Sequence, residues 1–193
     1  MKAGAWLAAA VLGLGAATAL AQSPGQGFYM GVSVGATDAD EGNAVPLLIT
    51  SGAFDGSSSG IKLFGGFAFS KNLAFEMAWV DLGEANYSGT FLGTPVMYGT
   101  LETSGLNMSV VGTVPLNPSF SLFGKVGLFA WDADMRDVTG SFGYWQTTYD
   151  VDISYGFGAA FHINRNVAVQ AEWEQYEAID SISLLSVGLV YRF

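Results

Sequence analysis

The residues of this chain that could do chemistry are mostly carboxylates, with few cations to balance them. The 193 residues include 17 Asp and Glu, 7 Lys and Arg, one His and no Cys, for a formal net charge of −10. Without cysteine there is no thiolate metal site, cysteine nucleophile or disulfide framework. A strongly acidic chain is a poor partner for nucleic acid, because phosphate binding requires a basic surface. We therefore predict no nucleic-acid partner and no cofactor.

Several charged side chains share the small-residue face of short alternating segments, opposite the bulky apolar residues. The charged network predicted for this face comprises Lys62, Glu76, Lys125, Glu172, Glu174 and Arg192. Asp152 falls on the same face by the alternation of its strand; we call this shared odd or even position its parity. Glu76, Lys125 and Glu172 each lie four to six residues beyond a short turn, which predicts one shared depth. Lone enclosed charges are costly and paired ones are tolerated, so we expect Lys125 to approach both carboxylates. A structural plug and a gated ion path both remain open interpretations.

The elements that carry these residues are strands. Alternation with a period of two recurs about eight times along the chain. The segments are 28–35, 60–70, 73–81, 105–114, 120–131, 151–163, 167–176 and the C-terminal segment ending at Phe193. Long segments (36–59, 82–104 and 132–150) separate them on one side, and short ones (71–72, 115–119 and 164–166) on the other. Short turns on one side and longer loops on the other are typical of outer-membrane barrels.

The bulky faces decide which side of such a barrel is enclosed. They carry Trp79, Tyr155, Trp173 and several Phe, whereas the opposite faces carry mostly small and polar residues. An eight-stranded barrel has an interior that side chains just fill, so the bulky set is too large to lie inside. We therefore predict that Trp79, Phe157 and Tyr191 face lipid and that Glu76 is enclosed. A soluble, lipocalin-like barrel with the reverse orientation is the alternative.

The first 21 residues have the layout of a secretory signal peptide. Lys2 precedes an apolar run to about Leu14, and small residues follow up to Ala19-Leu20-Ala21. We predict cleavage there and a single barrel domain over 22–193, with an N-terminal membrane helix as the alternative. The best later candidate for a membrane helix, 105–124, is interrupted by Asn107, Pro115 and Pro118.

Five segments resemble the OmpA-like transmembrane-domain family of outer-membrane β-barrels. They are "GFYMGVSVG" (27–35), "KLFGGFAFSKNLAFEMAWVDLG" (62–83), "SLFGKVGLFAW" (121–131), "ISYGFGAAFHINRNVAVQAEWEQY" (153–176) and "LLSVGLVYRF" (184–193). The resemblance implies an all-β, eight-stranded antiparallel up-and-down barrel in a Gram-negative outer membrane, with a lumen plugged by charged side chains. It also implies that Phe193, with Tyr191, is the signal read by the barrel-assembly machinery. Many relatives continue into a peptidoglycan-binding domain that this sequence lacks, so a cell-wall tether is not expected.

Three functions follow from these observations. The first is a non-enzymatic barrel with a structural and surface-interaction role, whose partners are outer-membrane lipids and lipopolysaccharide and a surface partner bound through loops 36–59, 82–104 and 132–150. The second is a narrow pore or carrier for small solutes. The third is a lipid-modifying enzyme, since some eight-stranded barrels are lipid A deacylases with a lipid-facing His/Ser pair. His162 lies on the small-residue face beside the 164–166 turn, so only a Ser or Asp beside it on the lipid face would favour the enzyme.

Acidic residues are concentrated in two of the long segments. "DADE" lies in 36–59 and "DADMRD" in 132–150. Their carboxylates are suited to hard divalent cations that bridge lipopolysaccharide, but EF-hand spacing is absent. A solvated acidic loop is the simpler interpretation, and we predict no metal site.

Overall fold

The computed structural model describes residues 26–39, 51–55, 58–91, 94–137, 145–178 and 181–193. Regular structure in these ranges consists of nine β-strands. They are β1 (Gly27–Ala39), β2 (Ser51–Asp55), β3 (Ser58–Ala68), β4 (Leu73–Phe91), β5 (Thr94–Asn117), β6 (Phe120–Asp137), β7 (Trp145–His162), β8 (Val167–Tyr176) and β9 (Ile182–Arg192). Within the described ranges, no helix is long and apolar enough to cross a bilayer. The predicted signal peptide, 1–21, lies outside them.

The strands form one closed antiparallel sheet. Neighbours along the chain are paired from β3 through to β9, and β1 pairs with both β3 and β9. β2 pairs with 86–90 of β4, beyond the part of β4 that pairs with β3, so β2 and β3 occupy a single position in the ring. The barrel therefore has eight strand positions, which confirms the predicted fold class.

Closure of the ring depends on the C-terminal strand. β9 pairs with β1 from Tyr29↔Arg192 to Ala39↔Ile182, and the backbone N–H of Phe193 donates to the carbonyl of Phe28 at 3.1 Å. Each strand except β2 thus has two neighbours, and β2 pairs with β4 alone among the described strands. Closure of the other strands leaves no sheet edge between them.

The three short connections, 69–72, 118–119 and 163–166, lie at the same end of the barrel as the two termini of the described chain. We call this end the turn end and the opposite end the loop end. The interpretation of 82–104 as a loop is wrong, because β4 continues to Phe91 and β5 begins at Thr94. Segment 132–150 likewise contains the end of β6 and the start of β7. Segment 36–59 contains the end of β1, all of β2 and the start of β3.

The reason for this error is physical. In 82–104 the chain is rich in Gly, Ser, Thr and Asn, and the β4–β5 register shifts between Asp81 and Glu84, next to Gly83 with φ 79°. Apolar alternation signals a strand with one buried face. A paired ribbon without that pattern keeps its backbone hydrogen bonds and leaves no such signal in the sequence.

The outer surface of the barrel is the apolar one. Trp79, Phe157 and Tyr191 are 38%, 63% and 47% exposed, whereas Glu76 is 6% exposed. The predicted orientation is confirmed, and the lipocalin-like arrangement is contradicted. Phe28 and Phe67 have ring centroids 4.9 Å apart near the turn end, where an aromatic girdle is expected at the membrane interface of an outer-membrane barrel. The pair formed by Phe157 and Trp173, with centroids 5.4 Å apart, lies farther from the turn end.

Candidate lumen ion-pair site

Five charged side chains from four strands meet inside the barrel. Lys62 contacts the carboxylates of both Glu172 and Glu174. The Nζ atom of Lys125 lies 2.5 Å from Glu172 Oε1, 2.7 Å from Glu174 Oε1 and 3.1 Å from Glu76 Oε1. All five residues are at most 8% exposed. We call Lys62, Glu76, Lys125, Glu172 and Glu174 the lumen cluster; mutual pairing offsets part of the cost of removing their charges from water.

The strand register explains how residues on separate strands reach one another. Lys125 on β6 is in register with Gly156 on β7, and Gly156 is in register with Glu174 on β8. A Cβ atom on Gly156 would lie 2.6 Å from the carbonyl oxygen of Trp173 and 2.9 Å from Cγ of Glu174. The missing side chain on β7 therefore leaves the space in which the lysine and the carboxylate meet.

Small residues also lie beneath the contacts of Lys62. Ser33 on β1 is in register with Lys62 on β3 and with Gly188 on β9, while Ser186 on β9 is in register with Glu172 on β8. Two strands with short side chains thus separate Lys62 from its partners. The long lysine side chain crosses this gap, which makes the cluster a link between opposite walls of the barrel.

Toward the turn end, the cluster opens into a small cavity. The hydroxyl of Tyr29 donates to Glu76 Oε2 at 3.0 Å, in a space left open by Gly66, which is in register with both residues. A cavity of about 70 Å³, lined by Tyr29, Glu76, Ser121, Lys125, Gln170 and Arg192 among others, lies at this point. We call it the vestibule. Since Glu76 and Lys125 line it, one side of the cluster opens toward the turn end.

Toward the loop end, the cluster is covered by apolar side chains, which we call the apolar layer. The layer comprises Val80, Phe129, Trp131, Tyr176 and Leu184, all of them buried and part of one hydrophobic cluster. The rings of Phe129 and Tyr176 have centroids 4.6 Å apart. Phe64 lies on the turn-end side of Lys62 in β3, and its ring centroid is 5.2 Å from Lys62 Nζ, within cation–π range. The layer thus closes the lumen directly beside the cluster.

Sequence reasoning missed the apolar layer as a functional element, although its signal was present. Phe129 and Trp131 have the parity of Lys125, and Tyr176 has the parity of Glu172 and Glu174. On a face of otherwise small and polar residues, these aromatics indicate enclosed rings, and all three are at most 5% exposed.

The other predicted lumen charges lie outside the cluster. Arg192, the last residue of β9, is exposed and lines the vestibule, and it forms no ion pair within the described part of the chain. Asp152 accepts a hydrogen bond from Trp131 Nε1 at 2.9 Å, on the loop-end side of the layer. Parity thus identifies the face of a residue, whereas its distance from the turn decides whether it can join the cluster.

The two residues of the predicted assembly signal lie on the outer surface at the turn end. Tyr191 and Phe193 are both exposed, and their rings pack edge to face with centroids 5.1 Å apart. This places them in the turn-end aromatic girdle. Their recognition by the assembly machinery stays a prediction.

His162 contacts a serine, but on the enclosed side of the barrel. Its Nε2 lies 3.1 Å from Oγ of Ser121, which is 3% exposed, and both residues are at the turn end. In the described ranges, no carboxylate contacts the imidazole to orient it as a base. The pair lies on the lumen side, opposite to the lipid-facing arrangement that would favour an enzyme.

Charge is unevenly distributed between the two ends. Lys71, Arg165 and Arg192 lie at the turn end, while the acidic residues outside the cluster, such as Asp81, Glu84, Glu102, Asp132 and Asp134, lie at the loop end. Glu84 and Glu102 are direct cross-strand partners beside an open cavity of about 290 Å³. Among the described residues, no three His, Asp or Glu side chains are grouped so that they could hold a metal ion.

The model of the OmpA-like transmembrane domain family matches residues 24–193, and no curated protein sequence matches the chain. The structure is similar to OprG of Pseudomonas aeruginosa, with 10% identity and a TM-score of 0.62 over 88% of this chain and 96% of that one. It is also similar to Neisserial surface protein A (16% identity, TM-score 0.55, 86% and 97% covered) and to Ail of Yersinia pestis (16%, 0.54, 87% and 97%).

These identities are low, so the structural similarities establish the fold alone. The family match extends over nearly all of the described barrel, from before β1 to the last residue. The chain belongs to the OmpA-like transmembrane domain family and is an eight-stranded barrel of the outer membrane.

Proposed function

We propose that this protein is an exported, non-enzymatic outer-membrane barrel that supports the envelope and presents an interaction surface to the exterior, with a closed lumen. The observation that carries this proposal is the lumen cluster, which joins β3, β4, β6 and β8 across the interior. A network that links opposite walls stiffens a narrow barrel, and it occupies the space through which a solute would have to pass.

The position of the apolar layer supports closure. An ion that entered through the vestibule would meet buried, paired charges and then the rings of Phe129 and Tyr176. Passage through the rings would require dehydration without compensating ligands, which is expensive. The closed state is therefore favoured by two successive barriers of different chemistry.

A narrow pore is the second candidate, and the vestibule is the observation that favours it. The cavity supplies polar side chains and reaches Lys125 from the turn end, which faces the periplasm in barrels of this kind. Single-channel recording of the purified protein in planar bilayers separates the two functions. A closed lumen predicts no resolved unitary conductance, whereas a stable, ion-selective conductance would contradict closure and support the pore.

The surface role is assigned to the loop end. Acidic residues dominate there, so the end is suited to cationic partners or to lipopolysaccharide phosphates bridged by divalent cations. The similar Ail of Yersinia pestis was crystallised with the heparin analogue sucrose octasulfate, a polyanion. Repulsion by Asp81, Glu84 and Glu102 makes an equivalent polyanion a poor ligand here. Binding of heparin at physiological salt would contradict this assignment.

Export and assembly are part of the same proposal. Segment 1–21 would direct export and be removed, and Tyr191 with Phe193 would be read by the assembly machinery. Amino-terminal sequencing of the mature protein tests the cleavage, which we expect after Ala21. Heat-modifiable migration in gels tests the closed barrel in the same preparation, because a folded barrel migrates differently before and after boiling.

A further inference from the structure

The charges of the lumen cluster do not balance. Three carboxyl groups and two ammonium groups meet there, so full ionisation leaves one excess negative charge. Lys62 and Lys125 each contact both Glu172 and Glu174, and these four groups form a neutral ring to which Glu76 adds the excess charge. An uncompensated charge enclosed away from water is costly, and such groups commonly adopt their neutral form instead.

The surrounding groups do not supply the missing positive charge. The ionisable side chains that face the cluster from outside it are Tyr29 from β1, Tyr176 from β8 and Arg192 from β9. The tyrosines are neutral at physiological pH, and Arg192 is exposed at the turn end and forms no ion pair in the described ranges. At the same level β5 and β7 contribute uncharged residues, including Asn107, Ser109, Ser154 and Gly156.

Glu172 is enclosed by the cluster on both sides. Its Oε1 atom lies 2.5 Å from Lys125 Nζ, and its Oε2 atom contacts Lys62. Its cross-strand partner Ser186 has a buried hydroxyl without a hydrogen-bond partner among the described residues. Three carboxyl groups thus share two ammonium groups in an enclosed space, which favours the neutral form of one of them.

We propose that the lumen cluster is a proton-binding site, in which Glu76, Glu172 and Glu174 share one proton at neutral pH and exchange it with the periplasm through the vestibule. Glu76 and Lys125 line both the cluster and the vestibule, which provides the path to water. The apolar layer separates the site from the exterior. The proposal concerns the charge state of the cluster and is independent of whether the lumen conducts.

Infrared spectroscopy of the refolded barrel tests the proposal directly, because the C=O stretch of a neutral carboxyl group is distinct from carboxylate absorption. At pH 7 in deuterated buffer, the wild type should show one neutral carboxyl group that is absent in Glu172→Gln. Substitution of glutamine removes the excess charge and retains both shape and donor. Glu84→Gln, at an exposed position of the loop end, is the matched control and should leave the band unchanged.

Absence of a neutral carboxyl band in the wild type at pH 7, or an equal band in folded Glu172→Gln, would overturn the proposal. A second variant keeps the proposal testable if Glu172→Gln does not fold. Lys125→Met removes one positive charge, so the neutral carboxyl band should increase to about twice its wild-type area. An unchanged area would count against the site. Conductance of the wild type is a separate measurement, so a failure of closure and a failure of proton binding are distinguishable.

Discussion

Lys125 on β6 reaches Glu174 on β8 across strand β7, at the position where β7 carries Gly156. The Nζ–Oε1 distance is 2.7 Å although a complete strand separates the two residues. The contact therefore depends on a residue that carries no charge and takes no direct part in it. In this narrow barrel, the choice of glycine on one strand decides which charges on its neighbours can meet.

Gly156→Val should separate Lys125 from Glu174 and destabilise the barrel. A Cβ at this position would collide with the backbone of Trp173 and the side chain of Glu174. Overpacking together with a broken buried ion pair should lower the free energy of unfolding by about 3–5 kcal/mol. Urea unfolding of the refolded protein in detergent measures the change.

Gly112→Val is the matched control for that substitution. Gly112 faces outward, and the nearest atom to a Cβ there, the Gly124 carbonyl oxygen, is 3.9 Å away. We expect a change of less than about 1 kcal/mol, which is typical of a surface substitution. Equal destabilisation by the two valines would show that backbone propensity, and not the lumen contact, is responsible.

Lys125→Met should leave Glu76, Glu172 and Glu174 with Lys62 as their remaining cationic partner in the cluster. Loss of one partner from a buried ion pair costs about 3–5 kcal/mol, so the heat-modified form should appear at a lower temperature. If the barrel stays folded, loss of the ammonium group from the lumen should raise cation conductance in planar bilayers. Arg165→Met, at an exposed turn position that does not line the vestibule, should alter neither property. The shared-depth interpretation is wrong if Lys125→Met also leaves both unchanged.

The fold could be predicted largely because lipid exposure imposes a regular pattern on the strands. Val151, Ile153, Tyr155 and Phe157 alternate with small or polar residues, and all four are exposed in the structure. The ribbons beyond the membrane, such as 82–91 and 94–104, carry no such constraint, and their pairing could not be derived from the pattern. Periodicity identifies a strand only where the two faces meet different surroundings.

The candidate site was predictable in part for a similar reason. Distance from a turn placed Glu76, Lys125 and Glu172 at one depth, and these residues do lie in contact. The role of Lys62 as the link to Glu174 could not be derived, because it depends on how strand tilt displaces residues around the ring. Arg192 has the correct face, but it lies exposed at the turn-end rim and forms no ion pair with the described residues.

Phe129→Ala should open the apolar layer. Phe129 is fully buried and stacks against Tyr176, so truncation should cost about 3–5 kcal/mol of stability through lost burial and a cavity. Water would then approach the cluster from the loop end as well, and we expect larger or more frequent conductance events. Phe157→Ala is the matched control, because that ring is exposed on the lipid side. A Phe129→Ala barrel with wild-type stability would show that the layer is not a packed barrier.

Phe193→Ser should slow assembly more than it lowers stability. The ring is exposed and packs against Tyr191 at the turn end, so its loss removes one outward contact from the folded barrel. If the assembly machinery reads this residue, the heat-modifiable form should accumulate more slowly in cells, while the melting temperature of the refolded protein changes by only a few degrees. Phe161→Ser is the comparison, since Phe161 has the same 53% exposure at the same end of the barrel. Equal assembly rates for the two serine variants would assign Phe193 to the aromatic girdle alone, because both substitutions remove an equally exposed ring at the turn end and only one of them is C-terminal.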